Sequence, residues 1–168
     1  MMRHTSLLLL LAMALGGCTA RTGGFAVYLL SDGRPGTALL GASLGDLPLR
    51  DRPLFSQNDL AWYNSARHEM ALSPEAYARV QGVFAAPIQT DGIPFVVCVG
   101  PERIYAGAFW TPLSSLSYDG VVILQPMAPD RTTLEISLGY PGSGFYRGPD
   151  PRSDPRVLEA LERTGKLR

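Results

Sequence analysis

Cys18 is the side chain best suited to covalent chemistry. It follows Leu15-Gly16-Gly17; a thiolate is a strong nucleophile, and glycines ahead of it let a processing enzyme grip extended backbone without steric conflict. The other cysteine, Cys98, sits in the apolar run Phe95-Val96-Val97-Cys98-Val99 and reads as an inert core thiol. With Cys18 consumed, one thiol cannot form an internal disulfide. His68 is the only histidine after His4, so it is the only imidazole base for a serine nucleophile such as Ser143. The G-x-S-x-G elbow fails, however, because Pro141 stands two residues before Ser143. A zinc site needs clustered His and Cys, which this chain lacks. The run Gly139-Tyr140-Pro141-Gly142-Ser143-Gly144 carries no Lys and opens no helix, so it does not have the form of a phosphate cradle. No cofactor or metal is expected from these residues.

The segment richest in contact chemistry is residues 107–120, which holds Phe109, Trp110, Thr111, Ser114, Ser115, Tyr118 and Asp119. Amphipathic rings and hydroxyls on a loop between strands suit contact with a peptide or sugar. The same composition also fits a core plug, with Phe109 and Trp110 buried and the hydroxyls satisfying backbone groups of the connection. These residues are the candidate binding loop.

The elements that must position them follow from local pattern. Residues 25–30 read as a buried strand, residues 31–45 as a loop, and residues 47–49 as a short extended piece. Ser56 with Asp59 three residues on resembles a capping box, which predicts a helix running through Leu60 to Tyr63. Residues 68–72 alternate as a half-buried strand. Ser73-Pro74-Glu75 announces a second helix, because Ser caps the orphan N–H groups and Pro loses nothing at the first helical position. Residues 94–99 and 103–109 form strands about the turn at Gly100-Pro101-Glu102; residues 121–124 and 132–138 supply two more. Residues 139–151 are an irregular loop. Asp154-Pro155 opens a final helix to about Arg163, with Gly165 just past its end. The sum is an α+β domain, a mostly antiparallel (mixed) sheet with two to three helices packed on one face.

Ahead of this domain the chain runs Met1-Met2-Arg3-His4, then an apolar stretch over residues 7–15, then small residues. That is the layout of an export signal, and its apolar core is far short of the ~20 residues that span a bilayer. The tetrapeptide ending in Cys18 resembles the lipobox of bacterial lipoproteins. The resemblance implies cleavage before Cys18, a diacylglyceryl thioether on its sulfur and a fatty acyl group such as palmitate on the new amine. Residues 1–17 are thus expected as signal, 18–24 as tether and 25–168 as one domain in the cell envelope, on the extracytoplasmic side of the membrane. Acyl chains hold a protein at a membrane at about 0.8 kcal/mol per buried CH₂. The chain carries 15 basic and 15 acidic residues without charge runs, which argues against a nucleic-acid surface.

Three stretches carry a further resemblance. Leu54-Phe55-Ser56-Gln57-Asn58-Asp59-Leu60, Met70-Ala71-Leu72-Ser73-Pro74-Glu75-Ala76, and residues 92–99 with Ile104-Tyr105-Ala106-Gly107 resemble the head subdomain of the large periplasmic domain of SecD. The whole chain resembles uncharacterised small bacterial lipoproteins. The SecD pattern differs in having an Asp-Gly hairpin turn where this chain has Gly100-Pro101-Glu102, and no transmembrane helices follow here, so no translocation motor is implied. It implies a noncatalytic domain that contacts polypeptide or an envelope protein. A membrane-tethered binding or accessory domain is therefore the leading expectation. A serine hydrolase using Ser143 or another Ser with His68, and a structural lipoprotein without a ligand site, are the alternatives.

Overall fold

The computed structural model describes residues 23–85, 87–127 and 132–168; Cys18 and the export signal lie outside them. Eight strands form one mixed sheet: β1 (Phe25–Leu29), β2 (Phe55–Ser56), β3 (Leu60–Asn64), β4 (Glu69–Leu72), β5 (Ile93–Val99), β6 (Glu102–Trp110), β7 (Tyr118–Leu124) and β8 (Thr133–Tyr140). Their spatial order is β2-β1-β5-β6-β7-β8-β4-β3. The two outermost strands are consecutive in the chain, separated only by Gln57–Asp59. So short a link reaches roughly 10 Å at most, so the sheet must curl until its edges nearly meet. All neighbours are antiparallel except β6 and β7, which run parallel.

Curling gives the sheet an inside. Alternating residues of every strand, among them Phe25, Phe55, Tyr63, Met70, Phe95, Phe109, Ile123 and Ile136, join one apolar cluster there. Two helices add to the same cluster, α1 (Pro74–Val83) through Ala76, Tyr77 and Val80, and α2 (Pro155–Arg163) through Val157, Ala160 and Leu161. The domain is α+β with its helices on one face of the sheet. Both helices begin where capping chemistry places them: Ser73 Oγ accepts from Ala76 N at 3.2 Å, and the Asp154 carboxylate accepts from Arg156 N at 3.0 Å. α2 ends in a Schellman-type turn, with Gly165 at φ 66° and Lys166 N donating to Leu161 O at 2.8 Å.

The helix expected through Leu60 to Tyr63 is instead a strand. Ser56 and Asp59 do form the capping box, but it closes only the 3₁₀ turn Gln57–Asp59. Beyond it β3 pairs with β4, with a register shift between Leu60 and Trp62. That bulge turns both Leu60 and Tyr63 inward, so buried residues three apart imitate a helical face.

The outer edges are covered. Along β1, residues 48–56 pair by Leu54 N to Val27 O (2.7 Å), Arg50 N to Leu29 O (2.9 Å) and Ser31 N to Pro48 O (2.9 Å). Along β3, the C-terminal residues lie parallel, with Tyr63 N donating to Lys166 O at 2.7 Å and Arg168 N to Tyr63 O at 2.8 Å. The Arg168 guanidinium sits 5.1 Å from the Trp62 ring centroid, a cation–π contact that holds the tail in place. Covering edges in this way prevents unwanted strand pairing.

Candidate binding groove

The loop singled out by composition divides into two parts. Phe109, Trp110, Thr111, Ser114 and Tyr118 are buried, whereas Ser115 and Asp119 are exposed. Phe109 points into the inner core, against Phe95 and Phe84. Trp110 and Tyr118 stack on the outer face, centroids 4.8 Å apart and planes 18° from parallel, with Tyr140 alongside. Residues 111–117 cross this stack to carry the chain from the end of β6 back to β7, as a parallel neighbour requires. Their hydroxyls serve the crossing itself. Thr111 Oγ1 donates to Gln125 Oε1 at 3.0 Å, Ser114 Oγ donates to the Thr90 carbonyl, and Tyr140 OH donates to the Pro112 carbonyl at 3.2 Å. The Trp110 ring is therefore core rather than surface, and it helps fix the path of the crossing.

What the crossing positions is a groove. β6 and β7 pair only from Gly107↔Val121 to Trp110↔Leu124. Below that they part, because each carries a bulge. β6 shifts register against β5 at Ile104, which has no partner there, and β7 shifts against β8 between Tyr118 and Val121. Bulges bend a strand and end its pairing. The ladder starts where Gly107 permits close approach: a Cβ there would lie 2.5 Å from the Phe95 ring and 2.7 Å from Val121 O. The opening between the strands encloses about 410 Å³, floored by Ile104, Tyr105, Ala106, Tyr118 and Val121. One wall is Leu39, Leu40, Ala42 and Leu44; the other is Tyr146, Gly148, Pro149 and Pro151.

Both walls are pinned. The Arg103 guanidinium donates to the carbonyls of Leu44 and Gly45, the latter at 2.8 Å. Asp119 accepts from Arg147 N at 2.9 Å, and Tyr146 OH donates to Pro149 O at 2.6 Å. Burial, with the Asp119 charge adding to it, pushes the Tyr118 phenol up, so it stays neutral at any physiological pH. A preformed, largely apolar groove with a few fixed polar groups has the character of a ligand site. Of the sequence-stated loop only Tyr118 and Asp119 line it. The walls come from two segments read as plain loops; their one sequence signal is apolar residues (Leu39, Leu40, Leu44, Tyr146) scattered among Gly and Pro.

The hydrolase set does not assemble among the described residues. His68 sits in the β3–β4 turn at φ 51°, a conformation His tolerates better than most non-glycine residues. Its Nδ1 lies 3.2 Å from Tyr63 OH, and burial lowers its pKa. Burial raises the Tyr63 phenol to about 12. Beside them Arg152 forms a fork with Asp150 (2.7 and 2.9 Å) and donates to the Ile136 carbonyl at 2.8 Å. The Arg152 hydrogen bonds hold the Asp150 carboxyl below its usual value. These contacts lock the loop after β8 onto the sheet. Ser143 is exposed on that loop, with no hydrogen bond to His68. Cys98 is fully buried on the outer face with Leu39, Leu47 and Val96. Among the described residues no three His, Cys, Asp or Glu side chains are grouped to hold a metal, and no helix is long and apolar enough to cross a membrane. Compared with family models, curated proteins and solved structures, the chain finds no match.

Proposed function

We propose that this chain is a lipid-anchored, extracytoplasmic binding domain that holds a polypeptide or envelope protein without transforming it. The observation that carries the reading is the groove between β6 and β7, open, largely apolar and rigidly walled. The lipobox-like Leu15-Gly16-Gly17-Cys18 supports the anchor, and the likeness of residues 54–107 to the SecD head supports a polypeptide occupant. In this arrangement acylated Cys18 fixes the domain to the membrane and residues 19–24 act as its leash.

Ala42 tests the groove because it is exposed on one wall and outside the core. Bis-ANS, an apolar dye, should fluoresce on the full chain in dilute detergent. Ala42→Trp, which fills the opening, should reduce that signal several-fold at unchanged circular dichroism. Equal dye fluorescence from both proteins would remove the groove as the site.

A further inference from the structure

We propose that the open edge of β6 at residues 102–106 accepts an extended polypeptide segment as an added strand, recognised through its main chain. The inference rests on the reading of the groove as the binding site and specifies how the occupant is held. On its other side this stretch pairs with β5 through Val99↔Glu102, Cys98↔Arg103, Val97↔Tyr105 and Val96↔Ala106, with only the bulged Ile104 left out. Toward β7 the ladder stops at Gly107↔Val121; below it Tyr118 pairs with Tyr140 of β8, and Asp119 and Gly120 lie in the bulge. Among the described residues no strand lies beside residues 102–106 on the β7 side, and Ile104, Tyr105 and Ala106 of this edge line the groove.

This edge differs from the flanks of β1 and β3. The edges of β1 and β3 are covered by residues 48–56 and by the C-terminal tail. A fold that covers the flanks of β1 and β3 yet holds this interior edge open with two bulges offers a place for β-strand addition here. The direction of the free groups follows from strand alternation. Trp110 O accepts from Gln125 N at 2.8 Å, so Trp110 presents its main chain to β7. Two-residue periodicity then turns Ala108 and Ala106 the same way. The Ala106 N–H faces the groove, just below the last ladder position. An incoming strand would hydrogen-bond there and place alternate side chains against Leu39, Leu40 and Leu44 on one wall. Apolar side chains suit that wall, because Leu39, Leu40 and Leu44 line it. An apolar small molecule would use the wall and ignore the edge, so the two occupants are separable.

The test uses a fluorescein-labelled decapeptide alternating Thr and Val with Lys at both ends, read by anisotropy against the full chain in dilute detergent. Two copies carry N-methyl groups on its odd or its even amides. A strand paired along one edge uses only one of these sets. Binding of the unmodified peptide is expected to fall about tenfold or more in one methylated copy, remain nearly unchanged in the other, and fall comparably with Ala42→Trp. Equal binding of all three peptides, lost with Ala42→Trp, would overturn strand addition and leave the groove intact. Peptide binding indifferent to Ala42→Trp would overturn the groove itself. Absence of peptide binding alongside groove-dependent bis-ANS fluorescence would also overturn strand addition.

Discussion

Replacing Trp110 with alanine is expected to destabilise the domain by about 3–5 kcal/mol. Trp110 is wholly buried, stacked on Tyr118 and tilted against Tyr140. Its ring also lies over Gly92, where a Cβ would meet it at 2.4 Å. The truncation would empty the space beneath residues 111–117 and leave the crossing without a floor. For a domain of this size the loss corresponds to roughly 6–20 °C in Tm, measured by thermal denaturation. One detail refines the expectation. The Trp110 Nε1–H is buried and finds no acceptor among the described residues, and an unpaired buried donor costs about 1–3 kcal/mol. Trp110→Phe keeps a ring and removes that donor, so it should recover most of the loss. A Phe variant as unstable as the Ala variant would contradict this expectation.

The second large effect concerns location. Cys18→Ser is expected to move the protein from the membrane fraction to the soluble extracytoplasmic fraction and to abolish incorporation of a clickable palmitate analogue. The reason is additive: each buried CH₂ contributes about 0.8 kcal/mol, so two or more acyl chains bind almost irreversibly whereas none leaves no anchor. Nothing in the described domain replaces them, since none of its helices can cross a bilayer. Membrane recovery of the Ser variant equal to that of the unaltered protein would remove the lipid from the account.

Local chemistry made much of this fold legible. Ser73-Pro74 and Asp154-Pro155 place the helix starts because caps act through neighbouring residues alone. The strand at residues 60–64 was masked by a true capping box and by a bulge that sets Leu60 and Tyr63 on one side, both local signals for a helix. The parallel pairing of β6 with β7, and the near-closure of β2 on β3, depend on partners far apart in sequence that no local periodicity records. The candidate site shows the same division. Aromatic and hydroxyl residues at 109–118 stood out by composition, yet their role is to carry the crossing. The groove they support draws on four separate segments, and only Tyr118 and Asp119 belong to both. Its defining feature, an unpaired main-chain edge, has no side-chain signature at all.

That edge is also where the account is most exposed to test. Amide hydrogen exchange at Ala106, followed by NMR on the full chain in dilute detergent, reads the N–H that an added strand would occupy. With the Thr-Val peptide at saturation, exchange at Ala106 is expected to slow about tenfold or more, while amides of α1, none of whose residues lines the groove, keep their rates. Unchanged exchange at Ala106 with the peptide fully bound would contradict the claim that β6 receives a partner strand.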